Sequence, residues 1–222
     1  MTPMTDAWSA RADAYRTSRT HAEGADLDAV VELCEPAPGV KILDLGTGGG
    51  HVARRLRDEG AQVVTVDPAP GMGADVVASA EHLPFADGSF DVVVSRIAAH
   101  HFRNLGEAIG EMVRVTNRVL VLEDMLYRTE EEQEAEKLRD PTHVRSLSAE
   151  EWRDLLVDAG LAIEQELDFT KEHDMDDWLA RTGCRGAEAQ RVRELLRPYW
   201  TSEDGSSWSN DYIVIKARKS QE

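Results

Sequence analysis

The sequence is short of cysteine, of basic charge and of long apolar runs, and each shortage excludes something. Cys34 and Cys184 are the only cysteines, far apart and outside any ligand-spaced cluster. They build neither a disulfide framework nor a zinc signature, so no metal site is expected. Free thiols fit a reducing compartment. Residues 1–15 lack the apolar core of a signal peptide, so a cytoplasmic location is expected. No apolar stretch approaches the about 20 residues that cross a bilayer. Lysine and arginine number 25 against 42 acidic residues, a formal net charge of −17. Such a balance repels phosphate backbones and anionic membrane surfaces, which leaves a small molecule as the expected partner. At long range it also disfavours a strongly anionic one. The balance leaves the oligomeric state, monomer or homodimer, open.

What is present is an alternation of apolar strands and amphipathic helices over 222 residues. That pattern predicts one α/β domain with a doubly wound, mainly parallel sheet. Residues 40–45, 62–66, 74–78, 90–95 and 118–123 are Val/Leu-rich with little alternation, as strands covered on both faces should be. Helices are predicted at 50–59 and 105–115. Only DPAPGMG separates the second and third strands, so the crossover there has lost its helix. Beyond the fifth strand, 129–139 reads as an exposed charged helix, with 130–136 its solvated face. Residues 148–159 open on a capping box, Ser148 and Glu151. Segments 175–181 and 187–197 read as helices, 162–169 as alternating and 212–217 as the last strand. One or two helices are expected before Val40.

The first strand runs into Gly46, Thr47, Gly48, Gly49 and Gly50. Glycines at a strand-to-helix turn let a ligand approach backbone N–H groups at a helix start. Asp67 ends the second strand about 20 residues later, where doubly wound nucleotide-binding folds place an acid on ribose hydroxyls. The dinucleotide fingerprint G-x-G-x-x-G fails, because His51 stands where its third glycine belongs. An NAD-dependent dehydrogenase is therefore disfavoured.

Residues 42–53 (ILDLGTGGGHVA), 63–70 (VVTVDPAP) and 78–102 (ASAEHLPFADGSFDVVVSRIAAHHF) occur in order at suitable spacing. Together they resemble class I S-adenosylmethionine-dependent methyltransferases of the ubiquinone/menaquinone-biosynthesis type, also called methyltransferase type 11. Residues 14–30 and 137–161 resemble a bacterial subgroup of small-molecule members. The resemblance implies a seven-stranded Rossmann-like sheet of order 3-2-1-4-5-7-6 with strand 7 antiparallel. It implies S-adenosyl-L-methionine as cofactor and S-adenosyl-L-homocysteine as product. Carried onto this chain, Asp44, Gly46, Thr47, Gly48 and Gly50 would cradle the methionine part, and Asp67 would take the ribose. Pro68, Ala80 and Glu81 would line the adenine, and Arg96 would sit under the methionine end. Ser79 stands where many members place an aspartate. The trimmed crossover is expected to leave the adenine side open. Thr47 replaces a usual cysteine, and the usual Pro-Gly-Gly turn before strand 5 is missing.

Residues 1–38 are expected to form a helical lid, 39–124 the cofactor half, and 125–222 the acceptor half with a helical insert. Methyl transfer from a sulfonium needs positioning, and a base where the acceptor must lose a proton. His101 and then His100, after the fourth strand, are the base candidates, against a role in packing the loop. Tyr15 and His21 in the lid, and His143 after the charged helix, are candidates for the acceptor side, and Arg145 beside His143 is a further catalytic candidate that could reach the same pocket. A loop-fixing salt bridge competes for Arg145, and a plain surface helix for the lid. His51 is expected to make local contacts, and Trp152, Trp178, Trp200 and Trp208 to pack in cores. The predicted activity is methylation of a small organic acceptor at oxygen or carbon sooner than nitrogen. The alternatives are a cyclase or isomerase that uses the sulfonium as a fixed charge, and a module that senses the cofactor without turnover.

Overall fold

The computed structural model describes residues 4–219. The chain opens with four short helices, α1 (Met4–Ala10), α2 (Ala12–Arg16), α3 (Arg19–Ala22) and α4 (Ala25–Leu33). The central alternation follows: β1 (Lys41–Leu45), α5 (His51–Asp58), β2 (Gln62–Asp67), β3 (Val76–Val77), β4 (Phe90–Arg96), α6 (Leu105–Val115) and β5 (Thr116–Met125). The remainder is α7 (Glu130–Arg139), α8 (Ala149–Asp158), β6 (Leu161–Asp174), α9 (Met175–Thr182), α10 (Gly186–Leu195) and β7 (Ser207–Lys219). The strands form one sheet of order β3-β2-β1-β4-β5-β7-β6. β7 runs antiparallel to both neighbours, and the other pairs are parallel.

Alternation along each strand sends neighbouring side chains to opposite faces, and both faces are covered. Leu43, Val93 and Leu120 pack with Ile109 and Met112 of α6 and Trp152 of α8. Ile42, Val92, Val94 and Val121 pack on the other face with Leu27 and Val30 of α4 and Leu56 of α5. The sheet is thereby fixed between helical layers, and its carboxyl edge stays free to build a site. Helix starts follow local chemistry. Asn104 and Thr129 accept from the N–H groups of Glu107 and Glu132, and Ser148 and Glu151 cap each other reciprocally.

Four expectations change. The third strand shrinks to Val76–Val77, and β6 and β7 lengthen to 14 and 13 residues as a paired arm. The N-terminal stretch holds four short helices, not one or two. α7 is not a solvated rod: Glu132, Gln133, Ala135, Glu136 and Arg139 are buried. Arg128 clasps Glu132 and Arg139 pairs with Glu136, which lets carboxylates enter the interior. The trimmed crossover is not left open either. Trp8, Ala12 and Tyr15 pack on Ala69 and Met72, so the N-terminal helices cover the space a crossover helix would take.

Candidate functional site

The carboxyl ends of β1, β2 and β4 open into a cavity of about 550 Å³, within the range of small-molecule sites. Its first wall is the glycine turn. Gly46 has φ +70°, and a Cβ there would stand 2.6 Å from the Cβ of Ala98. A Cβ on Gly49 would stand 2.7 Å from the Tyr15 carbonyl oxygen and 2.8 Å from His51 Nε2. Glycine is thus required both for the turn and for the closeness of the lid. Thr47 donates its hydroxyl to Asp44 Oδ2 at 2.6 Å. Burial pushes the Asp44 carboxyl up to about 6.

Asp67 receives Gly48 N–H on Oδ2 at 3.0 Å and Ala69 N–H on Oδ1 at 2.9 Å. Each oxygen keeps acceptor capacity for a further donor, the demand a vicinal diol would make. Pro68, Ser79, Ala80 and Glu81 continue this wall. Glu81 Oε1 accepts from the N–H groups of Arg103 and Asn104 at 2.9 and 3.2 Å, tying the loop before α6 to the rim.

Arg96 also lines the cavity, but its guanidinium is committed. Nε donates to Glu123 Oε2 at 2.6 Å, Nη1 to the His21 carbonyl at 3.0 Å, and Nη2 pairs with Asp26. Lys171 joins Asp26 from β6 at 2.6 Å. Burial opposes ionisation of Asp26, but Arg96 and Lys171 outweigh it and hold its carboxyl down to about 2. Arg96 therefore ties β4, β5 and α4 together at the cavity wall.

His100 and His101 lie in a single helical turn after β4. His100 is held twice by Asp124: its backbone N–H reaches Oδ2 at 2.8 Å, and its Nδ1 lies 2.6 Å from Oδ1. That contact places the proton on Nδ1 and leaves Nε2 for exchange. Burial pulls this imidazole down, but the charge and hydrogen bond of Asp124 outweigh it and raise its pKa. His101 faces the cavity too, with Nδ1 on the Thr142 carbonyl at 3.0 Å. Burial and the neighbouring His100, 4.1 Å away ring to ring, push it down to about 3. The two neighbouring imidazoles are thus shifted in opposite directions.

Tyr15 and His21 reach the cavity from the lid; Gly50, His143 and Arg145 do not. Gly50 turns the chain into α5 with φ +74°, beside the cradle. His143 lies behind His100 at 5.3 Å, with Nε2 on Gln133. The Arg145 side chain is 58% exposed and paired with Glu151. Its sequence lies close to the site, but the capping box of α8 draws it outward. The competing salt-bridge reading of Arg145 is the one the geometry carries.

Several wall residues escape sequence reasoning. His51 does more than contact its own turn: it donates Nε2–H to the Tyr15 carbonyl at 3.0 Å, fastening the lid to the glycine turn. Trp8 Nε1 donates to Thr142 at 3.1 Å and Arg11 pairs with Asp140 at 3.1 Å, fastening the same lid to the loop after α7. Arg139, His173, Trp178, Arg181 and Tyr212 complete the far wall. Trp178 belongs to a core cluster and to this wall at once. Trp178 and Arg181 stand three apart, the one-face spacing of a helix, and that was the available signal.

A family model described as a methyltransferase domain matches residues 43–119, the span from β1 into β5 that carries most of this cradle. The uncharacterized methyltransferase YcgJ of Bacillus subtilis is 30% identical over 213 residues, covering 85% of this chain and 82% of that protein. The chain belongs to the S-adenosylmethionine-dependent methyltransferase family. The solved structure of YcgJ from the same organism superposes with a TM-score of 0.77 at 26% identity, covering 88% of this chain and 98% of that one. The [4+2]-cyclase SpnF has the same fold, with a TM-score of 0.63 at 21% identity over 87% of this chain and 79% of that one. The family's cofactor, S-adenosylmethionine, meets a cavity of suitable size. A cradle that side chains would fill and a carboxylate with acceptor capacity to spare fit its methionine and ribose parts. Among the described residues no helix is long and apolar enough to cross a membrane, and no cluster of metal-ligating side chains occurs.

Proposed function

We propose that the enzyme methylates an oxygen or carbon of a small organic acceptor, with His100 as the base. The observation that carries this reading is the Asp124-held imidazole on the wall of the cavity that also contains the glycine cradle. Asp67 takes the ribose hydroxyls, and Gly46, Thr47 and Gly48 bound the methionine part with Asp44 behind them. Pro68, Ala80 and Glu81 flank the adenine. When bound, the cofactor supplies an activated methyl group whose sulfur leaves as a neutral thioether. His100 Nε2 receives the proton that a hydroxyl or C–H acceptor must lose, and Asp124 carries the resulting imidazolium. An amine could shed its proton after transfer, so an oriented base favours oxygen or carbon. Residues 4–38 act as the lid: with Trp8 and Tyr15 in place, water is kept from the reacting atoms.

The test has two stages. S-adenosylhomocysteine is titrated into the protein by calorimetry, and absence of binding would refute the reading. A panel of phenols, enols and hydroxy acids is then offered with S-adenosylmethionine while S-adenosylhomocysteine is followed. Accumulation with one acceptor establishes transfer. An acceptor converted without it would instead establish sulfonium-assisted cyclisation or isomerisation.

A further inference from the structure

The cavity wall changes sign along its length. Asp44 and Asp67 stand at the glycine-turn end, whereas the acceptor-side helices α7 and α9 bring Arg139 and Arg181 to the same cavity, where the neighbouring Asp140 is already taken by Arg11 and Thr142. Arg139 is anchored: Nε donates to the Trp178 carbonyl at 3.1 Å, Nη1 reaches Glu136 at 3.3 Å, and its guanidinium lies 4.1 Å from the Trp178 ring centre. Arg181 has no such anchor. Among the described residues its one hydrogen bond is a long 3.5 Å contact from Nη2 to Thr20 Oγ1, and it has no ion pair. Burial and the charge of Arg139 both act against its cationic form. His21 and His173 beside it are held neutral, chiefly by burial, so they add no positive charge to that of the two arginines.

A partly desolvated guanidinium with no carboxylate paired to it is costly unless an anion arrives. Its planar fork suits a carboxylate or a phosphate in two-point contact. We propose that Arg181, backed by Arg139, receives an anionic group of the methyl acceptor. The acceptor is then a small carboxylate or phosphate ester whose reacting oxygen or carbon lies toward His100. Tyr15, Trp178 and Tyr212 offer its body flat apolar surfaces. This rests on the methyltransferase reading above and narrows its substrate class. It also qualifies the inference from net charge: the molecule as a whole repels anions, but this wall attracts them at contact.

The cofactor carries a carboxylate of its own, so the test must separate the two ligands. With S-adenosylhomocysteine saturating the site, benzoate, phenyl phosphate and the neutral isostere benzamide are titrated by tryptophan fluorescence and calorimetry. Benzoate or phenyl phosphate is expected to bind at least about tenfold tighter than benzamide, and whichever leads identifies the anion. Arg181→Met removes the preference and Arg181→Lys keeps part of it, while both bind S-adenosylhomocysteine as the wild type does. That last measurement also certifies the variants as folded. Equal binding of all three probes, or a preference that survives Arg181→Met, overturns the proposal. So does a tenfold loss of S-adenosylhomocysteine affinity in Arg181→Met beside normal thermal melting, because Arg181 would then serve the cofactor's carboxylate. A wild-type protein that binds no S-adenosylhomocysteine refutes the methyltransferase reading itself.

Discussion

Asp124 decides what kind of group His100 is. Burial alone would keep the imidazole neutral and weakly basic, as it does at His101. The 2.6 Å contact with Asp124 reverses that and raises the pKa above the ordinary histidine value. A group so raised contributes stability fully below its unfolded pKa and loses it as pH climbs through the folded one. Asp124→Asn should therefore move the His100 midpoint below 6.5, read from the imidazole proton shifts by NMR, and flatten the melting temperature across neutral pH. In turnover the variant should lose about 10²–10⁴ in kcat, the span of general-base catalysis, and its acid limb should move to lower pH. An unmoved midpoint would make Asp124 a mere loop anchor. At the other end of the cavity, Asp67→Ala removes the acceptor of two backbone N–H groups and, in the proposed assignment, of the ribose hydroxyls. At about 1.5–3 kcal/mol for hydrogen bonds to a charged group, S-adenosylhomocysteine affinity should fall by at least tenfold in calorimetry. Unchanged affinity would take the ribose assignment away from Asp67.

The shortened crossover and the N-terminal helices form one structural solution. Gly71 N–H donates to Ser9 Oγ at 3.1 Å, and Arg16 grips the carbonyls of Gly71 and Met72 at 2.5 and 3.2 Å. A Cβ on Gly71 would stand 2.7 Å from Ser9 Cα, and backbone cannot yield as a flexible side chain does. Gly71→Ala should lift α1 from the crossover at an overpacking cost of about 1–3 kcal/mol. Amide exchange over residues 4–16 should then quicken while β1 and β4 keep their protection, and cofactor affinity should fall. Equal exchange in both proteins would mean that α1 is not held by this contact. The same elements show where sequence reading stops. Buried parallel strands, the glycine turn and the second-strand acid announce themselves through local composition, so the α/β class was legible, while the sheet order followed from the family resemblance of residues 42–53, 63–70 and 78–102. The seat of the N-terminal helices was not, because it depends on Trp8 and Tyr15 meeting Ala69 and Met72 across 54 to 64 positions of chain. α7 was misread for a related reason: Glu132 and Glu136 are buried only because Arg128 and Arg139 accompany them, which no period of hydrophobicity records. Arg145 was misplaced because a hydrogen-bonded helix cap outranks sequence proximity to the site.

At the scale of the whole molecule the charge has two effects that separate by distance. The net −17 acts on approaching ligands through solvent, where salt at physiological strength screens it beyond about 8 Å. Arg139 and Arg181 act at contact inside a walled cavity, where screening is weak. S-adenosylmethionine carries a sulfonium charge that S-adenosylhomocysteine lacks, and the two are otherwise close in shape. The distant field should therefore speed association of the donor over the product at low salt, and this advantage should fade as salt rises from about 10 mM to about 500 mM. Trp8 lies on the cavity wall and supplies the signal for stopped-flow measurement of both rates. The ratio of donor to product association rates is expected to fall toward unity across that range, with the dissociation rates changing much less. A ratio independent of salt would mean that the acidic surface does not steer the cofactor. The local cradle of Asp44 and Asp67 would then account for its capture without help from the rest of the chain.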